Sequence, residues 1–156
     1  MPIEISLLAD HSELIAQLVE GYQAWSPDWY GPGGGGDARA DLLARAQPSA
    51  VPCGVVAVDG DLALGTCALA EESMSMRGEF GAWLVGLWVR PSHRGRGLAT
   101  RLVEAAAHQA ALFNIRELRA GATAAAGVFR RAGWIRLEPI VHQGVETQIF
   151  SLRPRG

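Results

Sequence analysis

The segment with the clearest chemical meaning is LVGLWVRPSHRGRGLATRLVEAA, residues 84–106. Gly95 and Gly97 stand one residue apart, beside Arg94 and Arg96, between an apolar run and a helical pattern. Glycine lets the backbone take positive φ and come close to a ligand. The first amides of a helix lack internal partners and point outward, with the helix dipole behind them. Such a turn suits an anion, a phosphate or pyrophosphate above all. Arg94 and Arg96 add charge and forked donors.

Three nucleotide readings compete for this turn. A phosphate loop of the GxxxxGK[ST] type is excluded, because the chain contains no Lys. The dinucleotide pattern GxGxxG is only partly met, since Thr100 occupies its third glycine position. That pattern also opens a βαβαβ domain, whereas this turn lies mid-chain after antiparallel signals. The third pattern, (Q/R)xxGx(G/A), is met in full by Arg94-Gly95-Arg96-Gly97-Leu98-Ala99. Elsewhere the chemistry is sparse. His11, His93, His108 and His142 form no HxxxH or HExxH pair, so no metal site is expected. Cys53 and Cys67 fit no CxxC spacing and read as reduced, packed thiols.

The elements that position the turn follow from periodicity. Ile3–Leu7 alternates as a strand. Asp10 and Glu13 have capping-box spacing, and Leu14, Ile15, Leu18, Val19 and Tyr22 predict a helix over 11–22. The stretch 26–36, SPDWYGPGGGG, predicts neither helix nor strand. Asp37 is placed to cap a second helix carrying Leu42, Leu43 and Ala46. Gly54–Val58 and Leu62–Leu69 read as a hairpin turning at Asp59-Gly60, and Glu71–Gly78 as a loop. Trp83–Val89 has the continuous apolar character of a strand buried on both faces. A helix is predicted over 98–113, with Leu98, Leu102, Ala106, Ala110 and Phe113 on one stripe. Ile115–Ala120 reads as a strand and Thr123–Ala132 as a helix with Gly133 as its cap. Trp134–Val141 and Glu146–Leu152 read as closing strands. The order β α α β β β α β α β β predicts one mixed α/β domain over residues 1–156.

Composition excludes other classes. The 156 residues are 49% hydrophobic and 19% charged, so disorder is not expected. Sixteen acidic residues against 14 Arg give a net charge of −2, which argues against binding nucleic acid or anionic membrane by bulk charge. No apolar run approaches the roughly 20 residues of a membrane span. MPIEISLLAD lacks the basic start of a signal peptide.

The chain resembles the GNAT-type N-acetyltransferases. The likeness is sharpest over residues 84–106, extends to AAGVFRRAGW at 125–134, and agrees with the element order over nearly the whole chain. It implies a GNAT-like acyl-CoA N-acyltransferase fold, a mixed α/β sheet, with acetyl-CoA as co-substrate between the fourth and fifth strands. By that similarity the amides of residues 94–99 grip the pyrophosphate, including those of Leu98 and Ala99. The backbone of Leu87 and Val89, flanking Trp88, pairs with the pantetheine arm. Thr100 adds a hydroxyl, and Phe129 packs on the arm or in the core. The resemblance further implies an amine acceptor, direct transfer in a ternary complex, a cytoplasmic location and a homodimer through the last strands. An acyl-CoA-binding regulatory domain is the alternative, and a nicotinamide- or flavin-binding protein a distant third.

The likeness has gaps. The family's Tyr acid falls on Phe129, and the Asn before it falls near Ala122 or Thr123. The family's Glu on the fourth strand falls on Trp83 and Val85. Glu79 is then the candidate base, with Glu72, His142 and Glu146 as alternatives. Proximity, oxyanion stabilisation and water relays are the other route. Trp25, Trp29 and Tyr30, around the Gly-rich loop, are candidates for the acceptor side, with Asp28 and Asp37 nearby. The same rings and glycines also read as a core cover and a plain connector.

Overall fold

The computed structural model describes residues 2–74, 79–122, 126–137, 139–142 and 144–154. Its strands are β1 (Glu4–Leu7), β2 (Cys53–Asp59), β3 (Leu62–Met74), β4 (Glu79–Val89), β5 (Leu118–Ala122), β6 (Ile135–Arg136), β7 (Ile140–His142) and β8 (Val145–Leu152). Its helices are α1 (Ile15–Trp25), α2 (Pro27–Tyr30), α3 (Ala38–Arg45), α4 (Leu98–Leu112) and α5 (Ala126–Arg131). The strands lie in the order β1-β2-β3-β4-β5-β8-β6, with β7 also paired to β8.

Neighbouring pairs are antiparallel except β4–β5. That parallel contact is short: Ala82, Trp83 and Leu84 face Leu118, Arg119 and Ala120, and the pairing stops there. Beyond Leu84, β4 runs on to Val89 paired to β3 alone. The sheet therefore opens between its fourth and fifth strands.

Helices cover both faces. Leu98, Leu102, Val103, Ala106 and Ala110 of α4 are buried with Leu69, Leu84 and Phe150 on one face. Leu18 and Tyr22 of α1 and Leu42 of α3 are buried with Val56, Val58 and Trp88 on the other. Each fully buried Leu or Val contributes roughly 1.5–3 kcal/mol relative to exposure, so the α4 stripe alone anchors the helix that follows the glycine turn.

Several expectations are corrected. Asp10 caps no helix; residues Leu8–Leu14 form a 3-10 segment that breaks at His11 (φ −138, ψ 41), and α1 starts at Ile15. The stretch 26–36 holds one helical turn, α2, made with Pro27 at its first position, where the missing N–H costs nothing. The hairpin turns on Gly60-Asp61, one residue later than expected, because Asp59 still pairs with Leu62 and only Gly60 takes positive φ (61°). Glu71–Met74 is strand, not loop, since β4 continues to supply partners as far as Met74↔Glu79. The run 134–141 divides into β6 and β7. Asp37 does cap α3, accepting from the Ala40 N–H at 3.0 Å. Both cysteines are buried and free. Among the described residues no helix is long and apolar enough to cross a membrane.

Candidate active site

The opening between β4 and β5 meets the glycine turn in one recess of about 570 Å3. Leu87, Trp88 and Val89 form one wall; Gly95, Gly97, Leu98, Ala99 and Thr100 form another; Trp25, His93, Arg94, Val128 and Arg131 complete the lining. Gly95 and Gly97 both sit at φ 78°, a left-handed conformation that L side chains rarely adopt. Gly97 caps α4 without any side-chain acceptor, so the first amides of this 15-residue helix are free of capping partners. Arg94 Nε donates to the Val89 carbonyl at 2.9 Å, fixing the guanidinium against the end of β4.

A second feature shapes the β4 wall. Thr66 faces Trp88 and Ala68 faces Val85, so Gly86 and Leu87 together oppose Cys67 alone. This β-bulge places Gly86 at φ 65°. Tyr22 Oη donates to the Gly86 carbonyl at 2.6 Å and accepts from Arg45 Nη1 at 3.1 Å. A Cβ on Gly86 would lie 2.4 Å from Tyr22 Oη and 2.8 Å from Arg45 Nη1, so only glycine fits. Burial raises the Tyr22 hydroxyl well above its ordinary range, and burial likewise pushes the Cys67 thiol up to about 12. Both groups stay neutral at physiological pH.

The remaining predicted residues are distributed as follows. Arg96 is exposed and off the recess wall. Phe129 is 2% exposed and stacks on Phe150 (5.4 Å), in the core; its neighbour Val128 reaches the recess instead. Trp25 lines the recess, but Trp29 and Tyr30 do not. The Trp29 ring is cradled by the Gly-rich loop: a Cβ on Gly36 would lie 2.4 Å from its indole nitrogen. Those glycines therefore make close room for a ring rather than serving as a plain connector. Tyr30 stacks on Tyr22 (5.4 Å) and donates to Asp41 Oδ2 at 2.8 Å.

Glu79 opens β4, opposite Met74. It precedes Leu87 by a strand length on the order of 20 Å. The side chains of Glu79, Glu72 and His142 lie outside the described residues, as does Thr123. Glu146 is exposed on β8. Sequence reasoning missed His93, Val128 and Arg131 as lining residues, and Tyr22 and Arg45 as polar groups at the bulge. In the sequence Tyr22 reads as one more residue of the apolar stripe of α1. Among the described residues no group of three or more His, Cys, Asp or Glu is placed to hold a metal ion.

A sheet splayed between parallel strands, with a glycine turn and an uncapped helix at the mouth of the splay, defines an acyl-CoA N-acyltransferase class of fold. The family model described as the acetyltransferase (GNAT) family matches residues 18–134, and the chain belongs to that family. It is an N-acetyltransferase. Solved structures agree in fold. An aminoglycoside 6'-acetyltransferase type Ii is 18% identical, with a TM-score of 0.75 over 100% of this chain and 99% of that one. YncA, a putative acetyltransferase from Salmonella typhimurium solved with acetyl-CoA, is 16% identical, with a TM-score of 0.76 over 100% and 96%. An aminoglycoside 6'-N-acetyltransferase complexed with coenzyme A is 15% identical, with a TM-score of 0.76 over 100% and 98%. No curated protein matches the chain in sequence.

Proposed function

We propose that residues 1–156 act as a single domain that transfers an acetyl group from acetyl-CoA to a primary amine by direct attack in a ternary complex. One observation carries this reading: the stretch of β4 beyond its pairing with β5 runs into the same recess as the Gly95/Gly97 turn and the open N-terminus of α4. The amides from Gly95 to Ala99 receive the pyrophosphate, with Arg94 and Arg131 supplying positive charge. Thr100 adds its hydroxyl. The pantetheine arm lies along Leu87–Val89 and pairs with that backbone as an added strand.

The amine nitrogen attacks the thioester carbonyl carbon, and the carbonyl oxygen takes up negative charge. A backbone N–H in the Leu87–Val89 segment stabilises that charge. The C–S bond then breaks, coenzyme A leaves as the thiolate and is protonated, and the amine proton passes to water. The distance from Glu79 to the bulge favours water over Glu79 as the immediate acceptor of that proton. Approximation of the two substrates supplies most of the acceleration.

Amine-dependent release of free coenzyme A thiol, read against the rate without amine, tests the proposal. Release stimulated by an amine, with the acetylated amine found by mass, supports transfer. Tight acetyl-CoA binding with no stimulation by any amine would instead make the chain a binding domain.

A further inference from the structure

Arg45 is the one charged residue buried among those described, at 8% exposure. It ends α3, where a cation suits the helix dipole, but its side chain leaves the helix and crosses the sheet. Its Cβ lies 3.3 Å from where a Cβ on Gly54 of β2 would stand, and its Nη1 lies 2.8 Å from the same position on Gly86 of β4. Gly54 faces Ala68, and Ala68 faces Val85. The side chain therefore passes over β3, from beside β2 to beside β4, along a row of small residues that leaves room for it.

No described carboxylate lies within ion-pair distance of this guanidinium, and its one hydrogen bond goes to Tyr22 Oη. Nε and Nη2 have no protein partner, and neither is sealed from solvent. A buried cation without a counterion is costly, and the usual remedy is an anion with forked geometry. This cation is held beside Gly86, the residue preceding the recess wall Leu87–Val89. Tyr22 contacts Trp25 at 5.7 Å, and Trp25 lines the recess. The guanidinium and the recess are thus joined by one row of side chains.

We propose that Arg45 receives a carboxylate of the acceptor, and that the acceptor is a small amino acid. This rests on the acetyl-transfer reading above. Consecutive Cα atoms are about 3.8 Å apart, so the Arg45 site beside Gly86 and the reacting site at Leu87 suit an amine and a carboxylate on the same or adjacent carbons. A polycationic acceptor would instead meet an uncompensated charge at short range, in a low-dielectric setting where repulsion is strong.

The test is acetylation of the standard L-amino acids, their carboxamides and an aminoglycoside, with acetyl-CoA binding measured on the same preparation. The proposal expects an amino acid whose kcat/KM exceeds that of its carboxamide by at least about tenfold. Arg45→Met should erase that ratio by raising KM for the acid, while KM for acetyl-CoA stays within about twofold. Arg45→Lys keeps the charge without the planar fork and should retain only part of the preference. Equal use of acid and carboxamide by the unaltered protein would overturn the proposal, whether or not the Met variant folds. So would an acid preference that survives in Arg45→Met, an undiminished preference in Arg45→Lys, or use of the aminoglycoside and no amino acid. If acetyl-CoA binds and no amino acid is acetylated, the acceptor proposal alone fails. If acetyl-CoA does not bind, both readings fail.

Discussion

Tyr22 Oη donates to the Gly86 carbonyl oxygen at 2.6 Å, tying α1 to the bulge of β4 across 64 residues of sequence. Because a trans peptide sets C=O and N–H on opposite sides, this bond also fixes the direction of the Leu87 N–H. Tyr22→Phe keeps the ring stacked on Tyr30 but leaves the Gly86 carbonyl and Arg45 Nη1 without their partner. A loss of about 1–3 kcal/mol of stability is expected in urea unfolding. With Leu87–Val89 as the source of the oxyanion donor, kcat should fall roughly tenfold with little change in KM for acetyl-CoA. A stability loss with kcat intact would separate the bond from catalysis.

Gly97→Asp places a side chain at φ 78° and a negative charge at the mouth of the anion site. Nothing lies within 4 Å of the new Cβ, so the fold should tolerate it. The backbone conformation costs about 1–2 kcal/mol, and like charge adds to the loss of affinity. Coenzyme A affinity should fall by at least about tenfold in calorimetry. Unaltered affinity would remove the turn from the binding site.

Glu79→Gln tests the water route. With Glu79 a strand length away from Leu87, kcat/KM should hold within about twofold across the neutral pH range. A lost acid limb in the pH profile, where the carboxylate would take up its proton, would restore Glu79 as the base.

Alkaline pH should weaken the fold. The Cys67 thiol moves from 9.0 in the open chain to about 12 when buried, and burial raises Tyr22 and Cys53 as well. Each group stays protonated in the folded state after the unfolded chain has lost its proton. The stabilisation is therefore complete below pH 9 and lost as pH rises toward 12. Cys67 alone should remove about 1.4 kcal/mol per pH unit in that window. Urea unfolding of the native protein and of Cys67→Ala at neutral pH and above pH 9 measures the difference; equal slopes for both would exclude Cys67 as the source.

Legibility in the sequence follows the range of the interactions. The Gly95/Gly97 turn, the α4 stripe, the Asp37 cap and the Gly133 C-cap are local, set within a few residues, and each could be read directly. The strand ends could not. Glu71–Met74 is polar enough to read as loop, yet β4 supplies its backbone partners. The bulge at Gly86 depends on a register set by β3, and Arg45 reaches it from another element. Phe129, which the resemblance aligns with the family's acid, packs against Phe150 and Trp134.

Thermal unfolding with acetyl-CoA, free coenzyme A and NAD as separate additions addresses the recess most directly. A ligand present at 100 times its Kd stabilises a one-site protein by about 2.7 kcal/mol, a plain rise in Tm. Stabilisation by both coenzyme A forms and none by NAD is the expected result. No rise in Tm with either coenzyme A form would contradict the assignment of the Gly95/Gly97 turn and the open end of β4 as the donor site.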